Sequence, residues 1–272
     1  MTKVPSRPSS ESALVEPSKA SGTQSILRTT SLLRLVAANN RSGLRLVDIT
    51  RSTGLDRSTV HRILQCLVEE QFLEQDPDRR YFLGAVTFEL GLSAAPRFNL
   101  RELCDASLER IARISGDMAF LTVRSGHDAV CLDRKEGTYP IRTHTFEIGA
   151  RRPLGVGAGS LAILSALPID ESHRIVTHNA RRLEDYSGLS ANKLLAQVDQ
   201  TRKLGHALRE GSVAGARAIG LVIRNRFGEP FAALSISAIS SRMTKERQPE
   251  LIALLKMEVR AVEKRLAAAG SD

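Results

Sequence analysis

The stretch Leu46-Val47-Asp48-Ile49-Thr50-Arg51-Ser52-Thr53-Gly54-Leu55-Asp56-Arg57-Ser58-Thr59-Val60-His61-Arg62-Ile63-Leu64-Gln65-Cys66-Leu67 decides how the front of this chain folds. Leu46 and Ile49 are apolar at i, i+3 and open a short helix. Gly54 stands where that helix must end, because glycine takes the left-handed conformation without a Cβ clash. Asp56 is placed to cap a second helix. Val60, Ile63, Leu64 and Leu67 recur at helical spacing and form one buried stripe. Arg57, Ser58, Thr59, His61, Arg62 and Gln65 fall on the opposite face. Two short helices about a tight turn, the second rich in donors over its first turns, is the pattern of a helix-turn-helix. A plain helical hairpin with a solvated face would share the stripe, so the surrounding charge has to separate the two.

That charge is lopsided. Between Gly22 and Val68 the basic residues are Arg28, Arg34, Arg41, Arg45, Arg51, Arg57 and Arg62, against Asp48 and Asp56 alone. The motif therefore lies in a positive region, as phosphate binding requires. The whole chain carries a net charge of +9, which favours polyanions but serves solvation equally well. At 272 residues, 42% hydrophobic and 25% charged, it has room for two domains with ordinary globular cores. No apolar run reaches bilayer-spanning length, and the N-terminus lacks the apolar core of a secretory signal. A cytoplasmic protein with no membrane partner is expected. Cys66, Cys104 and Cys131 are few, odd in number and widely spaced, so they read as reduced thiols without metal or disulfide framework.

Residues 1–22 are rich in Ser and Pro with few large apolar side chains and read as a disordered tail. A helix over Gln24–Ala38 precedes the helix-turn-helix. After it, Phe72-Leu73-Glu74, a turn through Pro77, and Tyr81-Phe82-Leu83-Gly84 form a β-hairpin. A hairpin just behind a recognition helix is a wing. Arg79 and Arg80 lie near its tip, where a wing meets the backbone or minor groove of DNA.

The run Gly54-Leu55-Asp56-Arg57-Ser58-Thr59-Val60-His61-Arg62-Ile63-Leu64, with Leu67-Val68-Glu69-Glu70 and Tyr81-Phe82-Leu83-Gly84, resembles the winged domain of the IclR family of bacterial transcriptional regulators. The resemblance extends over about residues 24 to 268. It implies that residues 85–115, a linker over Val86–Arg97 and a helix over Leu100–Ile114, join two domains and help form a homodimer, or a dimer of dimers.

From residue 116 to 269 the texture becomes α/β. Strands are expected at Met118–Arg124, Ala129–Arg134, Ala216–Ile223 and Pro230–Ile239, with short ones at Ile141–His144 and Phe146–Ile148. Helices are expected at Leu161–Leu167, Asp170–Asn179, Ser190–Lys203 and Lys245–Ala268. Strand pairs covered by helices on one face make an α+β ligand-sensing domain, similar to the family's effector domain and to GAF-type sensors. Its best pocket is Gly155-Val156-Gly157-Ala158-Gly159 before a helix, where a ligand can approach backbone and free N–H groups attract an anion. A tight strand-to-helix turn would explain the same glycines. The resemblance implies an effector site made of backbone N–H groups of this loop (Gly157, Ala158, Gly159) and two serines on a late strand, Ser235 and Ser237. Alternation sets those serines on one face, with Leu234 and Ile236 on the other. Relatives with oxo-acid effectors carry an acid or amide where this chain has Leu208-Arg209-Glu210-Gly211-Ser212, so Arg209 or Glu210 takes that place.

His127, His173, His178 and His206 show no catalytic or metal spacing, His144 reads as a surface or pocket-rim residue, and Asp133-Arg134-Lys135-Glu136 reads as a solvated cluster. The expected function is an effector-controlled, winged helix-turn-helix regulator that binds double-stranded DNA and a small organic acid, uses no cofactor, and catalyses nothing. The rivals are a small-molecule enzyme with a helical dimerisation domain and a cysteine redox sensor.

Overall fold

The computed structural model describes residues 21–94, 99–141, 146–186, 188–210 and 215–269. The tail over residues 1–20, Pro96, the residues 142–145 with His144, and Gly211 with Ser212 lie outside them.

The head starts with α1 (Ser21–Ala38), β1 (Leu44–Arg45), α2 (Leu46–Thr53) and α3 (Arg57–Glu69), followed by β2 (Leu73–Gln75) and β3 (Arg80–Leu83). Strands β1, β3 and β2 pair antiparallel in that order, with Leu73 opposite Leu83 and Leu44 opposite Tyr81. Leu32 and Val36 of α1, Ile49 of α2, Val60, Leu64 and Leu67 of α3, and Leu73 and Tyr81 of the sheet close one core. Each fully buried Leu or Ile contributes roughly 2 kcal/mol, so the stripe on α3 holds that helix firmly while its other face stays bare.

The expected linker over Val86–Arg97 is helical along most of its described length. Residues 85–94 form a helix, α4 (Ala85–Ala94), none of whose residues is buried. Then α5 (Leu100–Ser115) leads to β4 (Met118–Ser125), β5 (Asp128–Lys135) and β6 (Arg151–Pro153). The helices α6 (Ala158–Ala166), α7 (Ile169–Leu183) and α8 (Ala191–Leu204) follow, and β7 (Ala207–Glu210), β8 (Ala216–Arg224), β9 (Pro230–Ile239) and α9 (Gln248–Ala269) complete the chain. The second sheet has the order β6-β5-β4-β9-β8-β7 and is antiparallel throughout.

Three expectations are corrected. Phe146–Ile148 is not a strand: Ala150 donates to Glu147 and Gly149 to Cys131, so the chain turns there, and the edge strand is β6. Helices cover both faces of the large sheet, not one. Helices α5 and α9 pack on Leu121, Ile219, Leu234 and Ile236, while α6, α7 and α8 pack on Ala129, Ala207 and Ala233. The residues 133–136 are not a solvated cluster. Asp133 is buried and takes a hydrogen bond of 3.0 Å from Arg101 of α5, and Lys135 pairs with Asp105 at 2.7 Å.

Candidate nucleic-acid interface and ligand pocket

The turn between α2 and α3 is built as its residue types dictate. Gly54 ends α2 in the left-handed region at φ 63°, donating to the Thr50 carbonyl. Asp56 caps α3: one carboxylate oxygen accepts from the Ser58 and Thr59 N–H groups at 3.1 and 3.2 Å and from the Ser58 hydroxyl at 2.5 Å. The Ser58 hydroxyl foremost, then the Thr59 N–H, hold the Asp56 carboxyl below the usual range. The cap engages Ser58, and Thr59 is half-buried at the margin of the stripe. The outer face of α3 therefore shows Arg57, Ser58, His61, Arg62, Gln65 and Cys66. The side chains of Arg57, His61 and Arg62 make no hydrogen bond or ion pair with any described residue, so their donors are open to an outside acceptor.

At the wing, Asp76 organises the turn. Its backbone carbonyl accepts from Arg79 at 3.0 Å and its side chain from the Arg80 N–H at 2.7 Å. Arg79 sits at the tip with φ 59° and an exposed side chain. Arg80 points differently: it is half-buried and its guanidinium donates to the Ser42 carbonyl at 3.3 Å, bracing the wing against the turn after α1.

The glycine loop and the serine strand do come together. The first N–H groups of α6 have no acceptor within the helix, and Gly157 N is met by the Ser160 hydroxyl at 2.9 Å. The helix start lies directly on the sheet. A Cβ on Gly220 of β8 would sit 2.5 Å from the Ala158 carbonyl oxygen, and one on Gly159 would sit 3.4 Å from Ser235 Oγ. Ser235 and Ser237 share this face, with Leu234 and Ile236 on the other. A cavity of about 50 Å³ remains between Gly157, Ala158, Gly159, Ser235 and Ser237. That is room for a few waters, so an organic acid must widen it.

Of the pair left open at residues 209 and 210, Arg209 faces the cavity and Glu210 does not. Strand β7 alternates, placing Glu210 on the exposed side, where it pairs with Arg217 at 2.8 Å. The assignment of Glu210 to the pocket is thereby corrected. Arg209 is 8% exposed and donates through Nη1 to the Gly155 carbonyl at 3.0 Å and to Gln197 Oε1 at 2.7 Å. Its Nε is buried without a partner, and burial pulls its pKa down to about 10. A second arginine, Arg152 of β6, reaches the pocket from the opposite edge of the sheet, its guanidinium 4.8 Å from the Phe146 ring centre. Burial also lowers Arg152. Sequence reading missed Arg152 and Thr122, which also lines the pocket, because neither sits in a motif; only their strand registers bring them there.

Burial pushes the thiols of Cys104 and Cys131 up to about 12, which leaves both unreactive at neutral pH. Cys66 is exposed on α3. The rings of His127 and His178 lie 4.1 Å apart, and no group of three metal-ligating side chains occurs among the described residues. No helix among the described residues is long and apolar enough to cross a membrane.

Comparison with known proteins agrees with this geometry. Residues 25–77 match the family model described as the IclR helix-turn-helix domain, and residues 92–264 match the one described as the bacterial transcriptional regulator IclR C-terminal domain. The chain is 30% identical to the acetate operon repressor of Salmonella typhimurium over 237 residues, 85% of this chain and 86% of that protein. It is 29% identical to the HTH-type transcriptional regulator KipR of Bacillus subtilis, over 86% of this chain and 93% of that one. Among solved structures, an IclR family regulator from Brucella abortus superposes with a TM-score of 0.73 at 20% identity, covering 93% of this chain and 96% of that one. An IclR homologue from Microbacterium hydrocarbonoxydans, complexed with 4-hydroxybenzoate, gives 0.69 at 21% identity, covering 90% and 99%.

Proposed function

The chain belongs to the IclR family of bacterial transcriptional regulators, and from that premise we propose how it reads DNA and what sets its grip. The helix α3 enters the major groove and presents Arg57, Ser58, His61 and Arg62 to base edges and phosphates, with Thr59 at its margin. Arg79 at the wing tip takes a phosphate or the minor groove, and Arg80 braces the wing that carries it. The observation that carries this reading is the outer face of α3: the side chains of Arg57, His61 and Arg62 are without intramolecular partners among the described residues, on a helix whose opposite face is locked into the core. Those donors are exposed to solvent and open to an outside acceptor, within the positive stretch between Gly22 and Val68.

The effector is a small carboxylate held by the N-terminus of α6 (Gly157, Ala158, Gly159), by Ser235 and Ser237, and by the positive field of the buried Arg209 and the half-buried Arg152. The 4-hydroxybenzoate in the Microbacterium relative is an acid of this class. Two copies pair through α4, whose Phe88, Leu90 and Leu92 are 68%, 54% and 57% exposed in the single chain. Bound acid shifts the arrangement of the effector domains (116–269) and with it the spacing of the two reading heads (23–84). The protein works in the cytoplasm, where its operator is.

Arg62→Ala tests the DNA contact. Affinity for the operator should fall, and the slope of log affinity against log salt should drop by roughly 1 if one phosphate contact is lost. Unchanged affinity and slope, with helix content intact by circular dichroism, would remove Arg62 from the interface.

A further inference from the structure

Arg209 is a buried cation with no anion beside it among the described residues. Its residue is 8% exposed, both of its protein bonds run through Nη1 to neutral oxygens, and its Nε has no partner. No acidic side chain among the described residues pairs with it, and burial lowers its pKa. Such a charge is costly to hold in the fold, and proteins neutralise or pair buried charges. The missing negative charge is therefore expected from outside.

That charge enters the same cavity from the β7 edge, beside the start of α6. In the sheet, Arg209 of β7 is opposite Ala218 of β8, which is opposite Ser237 of β9. The two Cα positions are thus two strand spacings apart, roughly 10 Å. The Gly155 carbonyl and Gln197 of α8 hold the guanidinium on the β7–α8 side of the pocket. The N–H groups at the start of α6 serve one carboxylate, and Arg209 Nε, without a partner among the described residues, is left for a second anionic group.

We propose that the effector carries two anionic groups, one at Ser235, Ser237 and the α6 N-terminus and the other at Arg209, so that Arg209 selects diacids over monoacids. This rests on the carboxylate-effector reading above and narrows its ligand class. Arg209 contributes to binding at the expense of the empty protein's stability.

Calorimetry on the full chain tests it with matched probes. These are straight-chain diacids from malonate to adipate, each against its monoamide, which keeps shape and removes one charge. At least one diacid should bind tenfold or more tighter than its monoamide. In Arg209→Gln that preference should shrink to threefold or less, while Arg209→Lys should keep most of it. The empty Arg209→Gln protein should melt about 2–4 °C higher than the parent, a shift of order 1 kcal/mol, whereas a purely structural arginine would give a lower melting temperature. Equal binding of diacids and monoamides, with the monoamides or benzoate still bound, overturns the second anion and leaves a monocarboxylate effector standing. A diacid preference that survives Arg209→Gln overturns the assignment to this residue. No binding of any of these acids, benzoate included, takes the carboxylate reading down as well.

Discussion

Arg79 holds a backbone conformation that its side chain disfavours, at φ 59°. A non-glycine residue in the left-handed region costs on the order of 1 kcal/mol, and here the turn closed by Asp76 imposes it. Arg79→Gly relieves that strain but adds unfolded-state entropy of similar size, so stability should change by less than about 1 kcal/mol. DNA affinity should fall and its salt slope should drop by about 1 if Arg79 meets a phosphate. Denaturant melts and anisotropy titrations on one preparation separate the two effects; a variant that binds as tightly as the parent would free the wing tip of any role. Asp56 illustrates the opposite case, a residue whose side chain is fully used. Because the fold lowers its pKa, the cap supports α3 above the ordinary carboxylate range and weakens as pH falls through the folded value. Its local chemistry, like that of Gly54, was legible in the sequence, since a glycine stop followed two residues later by a capping Asp leaves little choice. Arg209 was not legible. Its neighbour Glu210 fits an acid-bearing position as well on paper, and only the register of β7 decides which of the two turns inward.

Among the elements, α3 and β9 were readable because each has one strong period, 3.6 or 2, with its polar residues confined to one side. Helix α4 was not. Its apolar residues run all round, which gives no inward face, and read as a linker because nothing in a single chain covers it. Strand β6 is three residues long with a proline, so local pattern could not announce it; its place comes from pairing with β5. The packing of α6 on β8 depends on the bare Gly220. A Cβ there would meet the backbone of Ala158 and Gly159, so Gly220→Ala should cost about 1–3 kcal/mol and abolish acid binding, as seen by thermal melts and calorimetry. The α5–α9 pair is clamped differently. Glu258 of α9 is 1% exposed and takes two hydrogen bonds from Arg110 of α5, at 2.9 and 2.7 Å. Burial by itself would raise its carboxyl, but the bonds from Arg110 and Ser107 outweigh it and leave the pKa lowered. A lowered carboxyl stabilises the fold above its unfolded value, near 4.5, and that contribution is lost as pH falls through the folded value. Arg110→Ala strands the charge and should cost about 2–3 kcal/mol at pH 7, less than for a fully buried partner because Arg110 is partly exposed. The deficit should shrink below pH 4.5 as Glu258 is protonated; a deficit constant with pH would mean the pair contributes packing alone.

At the level of the whole molecule, helix α4 follows the helix-turn-helix head and leaves Phe88, Leu90 and Leu92 exposed in the single chain, the surface through which two copies are proposed to pair. Phe88→Glu with Leu92→Glu should turn a dimer into a monomer in analytical ultracentrifugation and weaken binding to a two-half-site operator far more than to a single half-site. A monomeric parent, or a dimer untouched by both charges, would place the pairing surface elsewhere. The central claim is that the cationic face of α3 discriminates among duplexes. Its most direct test is an anisotropy titration of the purified protein on the duplex upstream of its own gene and on a shuffled duplex of equal composition, at about 150 mM salt, with and without small carboxylates. The account predicts a preference of a thousandfold or so that collapses in an Arg57→Ala, Arg62→Ala double variant. Equal affinity for both duplexes under every condition would contradict it.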